Sequence, residues 1–318
     1  DYEIFAIIPK RFQYFASLKK LEIPYLILNV KGHYDLFANI KLFFLIKKLR
    51  AKIIIGHNGR AFAAMSLLRK FIKNVKFLPI CHGASFKRIA KFENIIAVSE
   101  NIKQELISSG CKNDIALINN ALKNINQEIP QFNFQDKDKI TFGVFSRLSH
   151  EKNIKLAINA IAELKQRSKK IIKLKIAGKG PELQNLQELV KAKNLDDNVE
   201  FLGWLDSAKE FFQQIDIFLL PSFNEPFGLT ILESFNFGKP VIAANNGGPK
   251  YIINDQKDGL LFENNNLSDL VQIMQYTCDK DNLAKLAQLT KNAQNNLQKN
   301  YNSTKQSTMI LDYIKKFQ

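Results

Sequence analysis

Short apolar runs ending in turn residues, separated by helix-length amphipathic segments, recur from one end of this chain to the other. In the first part the runs are Glu3–Pro9, Pro24–Val30, Lys52–His57, Lys76–His82, Asn94–Val98 and Asp114–Asn119. Helical patterns fill Arg11–Glu22, Tyr34–Leu49, Arg60–Lys73 and the stretch ending at Ser109. Continuous apolar strands alternating with amphipathic helices specify a parallel sheet buried on both faces. Residues 123–139 break the rhythm with Pro130 and several Asn, Gln and Asp, and are expected to be a linker. The alternation then restarts, with strands at Ile140–Phe145, Ile171–Ala177, Val199–Leu202, Ile217–Pro221, Pro240–Ala244 and Gly259–Phe262. Helices are expected at Asn153–Gln166, up to about Lys193, at Ala208–Gln214 and at Leu229–Phe237, and long helices close the chain. The expectation is an α/β protein of two Rossmann-like domains: 1–122 and 140–301, with 302–318 as a helix packing back on the first. In such folds ligands sit beyond the carboxyl ends of the strands, and a cleft between two domains is the default site.

Composition narrows the class. No apolar stretch approaches the ~20 residues of a membrane span. Cys81, Cys111 and Cys278 are far apart and odd in number, which fits a reducing cytoplasm rather than a disulfide framework. No His/Cys group has metal-site spacing, so no metal is expected. The chain starts at Asp1 and runs straight into a strand, so upstream sequence is expected to be missing. The net charge is +16. Residues 1–122 hold 20 Lys+Arg against 8 Asp+Glu, a net of +12, and residues 123–318 hold 26 against 22, a net of +4. This asymmetry favours an anionic partner; a general Lys, Ile and Asn bias is the competing account. No aromatic-basic recognition motif points to nucleic acid. Arg60–Lys73, with Phe62, Met65, Leu68, Phe71 and Ile72 beside four basic residues, reads either as a surface helix for an anionic membrane or as an ordinary helix packed on the sheet.

Three segments carry candidate chemistry. In Asn224–Glu233, Pro226 and Gly228 keep Glu225 on a loop ahead of a helix. The free N–H groups of Leu229 and Thr230 would face a diphosphate, with Glu233 one turn further along. Two unrelated surface glutamates are the alternative. In Phe145–Asn153, Arg147 and Lys152 follow a strand end and are candidates to hold phosphate; a solvated turn with Ser149 or Asn153 as helix cap is the other reading. Gly178-Lys179-Gly180-Pro181 is a weak Gly-x-Gly signal, or simply a turn before a helix. Two Asp-x-Asp sequences, 136–138 and 279–281, lie in polar stretches and read as solvated charges.

Taken in order, these segments resemble the retaining glycosyltransferases of family 4, which have the two-domain GT-B fold. The resemblance rests on Ser-Arg-Leu-Ser-x-Glu-Lys-Asn at 146–153, Gly-x-Gly-Pro at 178–181 and Phe-Leu-Gly-Trp at 201–204. Leu-Pro-Ser at 220–222, the Glu225/Glu233 pair, Gly-Lys-Pro-Val-Ile-Ala at 238–243 and Gly-Gly-Pro at 247–249 complete it. It implies a metal-independent hexosyl transfer from a UDP-, GDP- or ADP-sugar, with retention, to a glycan or lipid-linked acceptor. The setting implied is lipopolysaccharide or other cell-envelope synthesis in the cytoplasm or on the inner membrane face. Arg147 and Lys152 would hold the diphosphate. Glu225, with main-chain groups of Phe227, Gly228 and Leu229, would bind the sugar. Glu233 would bind the ribose, and the base would rest near Gly203, Trp204 and Leu205. His82, in a His-Gly turn at 82–83, would face the sugar from the first domain. The nucleotide-sugar is a substrate, and no separate cofactor is implied. The sequence departs from the family in lacking the initial strand and Gly-rich loop, in Ser146 where Gly is common, and in Lys250-Tyr251 where Glu is usual. An inactive or truncated relative that binds donor without turnover, or a sugar-nucleotide epimerase on the same fold, is the alternative.

Overall fold

The computed structural model describes residues 2–10, 15–30, 32, 35–83, 85–126 and 138–317. Most of the expected linker, residues 127–137, lies outside these, as do Asp136 and the first residues of the expected helices at 11 and 34. The chain forms two compact units. One comprises 1–97, 102–117 and Phe317; the other comprises 98–101 and 118–316.

In the first unit, β1 (Ala6–Ile8) and β2 (Tyr25–Ile27) pair in parallel, and β3 (Ile53–Gly56), β4 (Lys76–Cys81), β5 (Asn94–Ala97) and β6 (Asp114–Leu117) form a second parallel sheet in that order. The single buried sheet expected from the apolar runs is therefore two sheets, with Ile7, Ile27 and Ile55 exposed. Apolar runs specify that a strand seeks cover, but not which edge it pairs with. The helix Gly59–Leu68 starts at Asn58, whose Oδ1 accepts hydrogen bonds from the N–H of Arg60 and Ala61. It buries Phe62, Met65 and Leu68. Just past its end, Arg69 lies over the Phe92 ring and donates to the Lys91 carbonyl. Of the two readings of Arg60–Lys73, the packed helix is the one realised; only Phe71 among its apolar residues is exposed.

The second unit is built on one six-stranded parallel sheet. Its strands are β7 (Lys139–Phe145), β8 (Ile171–Ala177), β9 (Val199–Gly203), β10 (Ile217–Leu220), β11 (Val241–Ala244) and β12 (Leu260–Phe262). Their order across the sheet is β12-β11-β10-β7-β8-β9. The period of two sends Phe142, Leu219 and Ile242 to one face, where Ile161, Leu270 and Met274 cover them. Phe218, Leu220 and Ala243 point to the other, under Phe211, Phe212 and Phe235. Each large side chain buried this completely contributes about 1.5–3 kcal/mol. The helix Ser303–Lys315 also belongs to this unit and is tied to residues 118–122: the Leu122 N–H donates to the Tyr301 carbonyl at 2.9 Å, and Gln306 Nε2 to the Asn119 carbonyl at 2.8 Å. Among the described residues no helix is long and apolar enough to cross a membrane.

Candidate active site

The strand order sets the location. From β7 the chain moves outward through β8 to β9, then returns to the other side of β7 with β10 and moves outward again. All six strands are parallel, so their carboxyl ends share one edge. The direction of winding reverses between β7 and β10, where doubly wound sheets open a crevice. The loops after β7 and β10 meet there. Lys152 Nζ contacts Glu225 Oε2 at 2.7 Å, with both side chains largely shielded from solvent. The Ser222 hydroxyl lies 3.4 Å from the same carboxylate oxygen. The Phe223 N–H donates to the Glu151 carbonyl at 2.9 Å, joining the two loops again through backbone.

Glu225 is outside the helix that follows, which runs Leu229–Asn236 after Gly228. The N–H groups of Leu229 and Thr230 have no hydrogen-bond partner among the described residues. They form the positive end of the helix beside the Lys152–Glu225 pair. Glu233, half-buried one turn along, has no partner for its carboxylate among the described residues, and burial pushes its carboxyl up to about 7.

Arg147 is aimed elsewhere. Its Nη2 lies 2.5 Å from Glu151 Oε1, and its Nε donates to Ser149 Oγ at 3.3 Å. The Ser149 hydroxyl, then the backbone amide of Glu151, and Arg147 more weakly, hold the Glu151 carboxyl at about 2 against slight burial. The two cations of this loop thus engage different carboxylates. Ser149 and Asn153 occupy the N-cap positions of His150–Lys152 and Ile154–Arg167, as the capping alternative has it, but neither side chain makes a cap hydrogen bond among the described residues. The short turn His150–Lys152 carries the chain into the helix Ile154–Arg167.

The glycines of 178–180 have a packing role. A Cβ on Gly178 would overlap the Ser146 carbonyl, and one on Gly180 would overlap the backbone of Leu148. The Leu148 N–H donates to the Lys179 carbonyl at 2.9 Å, and the Gly178 N–H to the Gly203 carbonyl at 2.7 Å. The close approach that demands glycine here is to the neighbouring protein loop. Beyond it, Trp204 is exposed, with Nε1 donating to Asp206 Oδ1 at 2.8 Å, and Leu205 packs against the phenylalanine cluster.

Sequence reasoning missed the residues that brace Glu225. Asn246 Oδ1 accepts from the Glu225 N–H at 3.3 Å, and its Nδ2 donates to the Ser222 carbonyl at 2.7 Å and to Asn264 Oδ1 at 3.0 Å. Asn264 Nδ2 donates to the Phe223 carbonyl at 3.2 Å. A Cβ on Gly247 or Gly248 would overlap the carbonyls of Glu225 or Phe227, so that loop rests directly on the Glu225 loop. The only sequence signal is Asn-Asn-Gly-Gly at a strand end, which reads equally as a turn.

In the first unit, His57 and His82 follow the adjacent strands β3 and β4, with His57 Nδ1 and His82 Nε2 3.3 Å apart. Desolvation lowers both imidazoles below the ordinary histidine value, and the His57 charge lowers His82 further. Sequence reasoning also missed His57, although each of these two apolar runs closes on a histidine. Among the described residues, no three His, Cys, Asp or Glu side chains cluster as a metal set, and Asp279 Oδ1 accepts from the Asp281 N–H as a turn cap.

A doubly wound unit with an ion pair and an open helix end at its switch point defines a nucleotide-binding class of fold. The chain belongs to the family of glycosyl transferases group 1, whose model matches residues 125–296, more than half of its length. It is 33% identical over 195 residues to the O-antigen biosynthesis glycosyltransferase WclY of Escherichia coli, a match covering 58% of this chain and 52% of that protein. It is 32% identical over 117 residues to the lipopolysaccharide core biosynthesis glycosyltransferase LpsE of Rhizobium meliloti, covering 37% and 33%. The match thus spans about half the length of the first of these relatives and a third of the second. Similar folds include a glycosyltransferase from Rickettsia africae ESF-5, with a TM-score of 0.80, 20% identity and 99% of each chain covered. Anabaena Alr3699/HepE in complex with UDP has a TM-score of 0.81 at 18% identity, covering 98% of this chain and all of that one. These neighbours bear out the α/β, parallel-sheet GT-B fold expected from the sequence.

Proposed function

We propose that this chain is a retaining glycosyltransferase that moves a hexose from a nucleotide-sugar to a glycan or lipid-linked acceptor in cell-envelope synthesis. The observation that carries the reading is the Lys152–Glu225 pair at the β7/β10 switch point, beside the N–H groups of Leu229 and Thr230, which have no partner among the described residues. Lys152 and the helix end hold the donor diphosphate, and Arg147 joins them when it exchanges Glu151 for phosphate. Glu225 takes the sugar hydroxyls, with main-chain groups of Phe227 to Leu229. Glu233 meets the ribose, where a carboxyl titrating near neutrality can donate as well as accept. The base lies along Gly203–Leu205. Relatives named for O-antigen and lipopolysaccharide core synthesis support the acceptor class, and HepE bound to UDP supports a uridine donor.

In the transfer, the bond between the sugar's anomeric carbon and the β-phosphate oxygen breaks, and its electron pair leaves with the nucleoside diphosphate. Lys152 and Arg147 stabilise that charge as it develops. The acceptor oxygen bonds to the anomeric carbon on the same face, and its proton passes to the departing phosphate oxygen. Calorimetry of the chain with UDP-, GDP- and ADP-sugars tests this, with Lys152→Ala and Arg147→Ala beside it. One donor should bind, and both substitutions should weaken it at least about tenfold. Donor binding that ignores both would overturn the placement.

A further inference from the structure

The helix Leu36–Lys48 is apolar nearly all round. Ala38, Asn39 and Ile46 are buried and Phe43 is half-buried. The opposite side carries Leu36, Phe37, Ile40 and Phe44, exposed by 63%, 80%, 45% and 65%. Phe37, Ile40 and Phe44 recur at helical spacing and form one stripe. A helix with apolar residues on both faces belongs in a core, yet here one face meets water. The flanks are basic. Between 35 and 52 lie Lys41, Lys47, Lys48, Arg50 and Lys52, and the one acid, Asp35, is used as the cap, accepting from the Ala38 N–H at 3.0 Å.

We propose that this face docks on an anionic lipid bilayer. Phe37, Ile40 and Phe44 enter the boundary between headgroups and acyl chains, and Lys41, Lys47 and Lys48 meet the lipid phosphates. Charge selects this occupant. A second copy of the chain would set the same lysines against each other. An anionic bilayer supplies opposite charge along the whole stripe and an apolar phase beneath it. Thirteen residues span about 20 Å, too short to cross a bilayer, so the helix lies in the plane of the interface. The neighbouring helix Gly59–Leu68, also flanked by basic residues, has its apolar face buried and cannot serve. The docking needs neither donor nor acceptor, so it stands or falls apart from the transfer reaction.

Sedimentation of the 318-residue chain with sucrose-loaded vesicles tests the proposal. Vesicles of phosphatidylglycerol and phosphatidylcholine at low salt should carry the protein down, and pure phosphatidylcholine should not. Phe37→Ser/Phe44→Ser and Lys47→Glu/Lys48→Glu should each reduce partitioning at least about tenfold. As a variant that keeps the bulk of the helix, Phe37→Trp should shift its emission to the blue on adding the anionic vesicles. The proposal is overturned if the parent chain stays in solution, if the serine variant binds like the parent, or if the emission of the Phe37→Trp variant does not move. A dimer dissolved by the serine substitutions with vesicle binding unchanged would assign the stripe to self-association and overturn it as well.

Discussion

The two units follow one building plan and differ in how far it is closed. In the second, β10 and β11 are buried along their whole length beneath helices on both faces. In the first, four apolar strand residues, Ile7, Leu26, Ile27 and Ile55, and a full helix stripe remain open to water, and the sheet is split in two. The charge follows the same division, +13 in the first unit against +3 in the second. A closed sheet presents its loops from fixed positions, which suits a site that must align charges on a small ligand. An open apolar surface instead has to find cover outside the chain.

The sharpest test of this contrast is Lys152→Ala. It should lower kcat/KM by about 10²–10³-fold through lost charge stabilisation. It should also lower stability in urea by roughly 2–4 kcal/mol, because Glu225 is left shielded and unpaired. Restoring most of that stability with Glu225→Gln in the same chain, without restoring activity, would separate the two effects.

Glu233→Gln should divide function from stability in the opposite sense. The folded carboxyl titrates near 7, above its ordinary 4.5, so the folded chain keeps a proton that the unfolded chain releases between those values. Stability from this group therefore falls as pH rises from about 4.5 through 7. The glutamine variant should match the parent near pH 4.5 and exceed it at about pH 8 by up to about 3 kcal/mol, while binding donor more weakly. A parallel pH dependence of the two urea midpoints would remove the argument for a strained carboxyl.

Next comes Gly180→Ala, which forces side-chain atoms into the backbone of Leu148 and should cost about 1–3 kcal/mol. Phe37→Ser on the open helix should cost less than about 0.5 kcal/mol. Equal losses in thermal unfolding would mean the first unit is as tightly closed as the second. The smallest effect is expected at His57→Gln. Removing the neighbouring charge should raise the His82 pKa part of the way to its ordinary value, since the larger cause, desolvation, persists. Imidazole titration by NMR would detect it.

Much of this is legible in the sequence for one reason. Every apolar run proposed as a strand coincides with one, and Ile171–Ala177 matches residue for residue, because the runs are set off by charged residues or by the turn formers Gly, Pro, Ser and Asn. The short helices Phe86–Ile89 and Pro249–Ile252 escape notice, being a single turn without periodicity. Glu225 and Lys152 each stand out as candidates, but nothing local announces that residues 73 positions apart form an ion pair. Asn246 and Asn264 are invisible because Asn in a loop is commonplace until its partners are known. The stripe on Leu36–Lys48 is hidden by its own sequence, since a helix with apolar residues on both sides reads as core and only the packing reveals which face stays bare.

The interlocked turns after β7 and β8 bear on how this molecule can diversify. Gly178 and Gly180 leave no space between them and Ser146 and Leu148, so neither turn can lengthen, shift or exchange residues alone. On the proposed reading, in which the base lies along Gly203–Leu205, adaptation to new donors is channelled to segments that are not interlocked in this way, such as the exposed Trp204–Asp206 turn. Libraries aimed at altered nucleotide preference should place their diversity there and leave 146–148 and 178–180 intact.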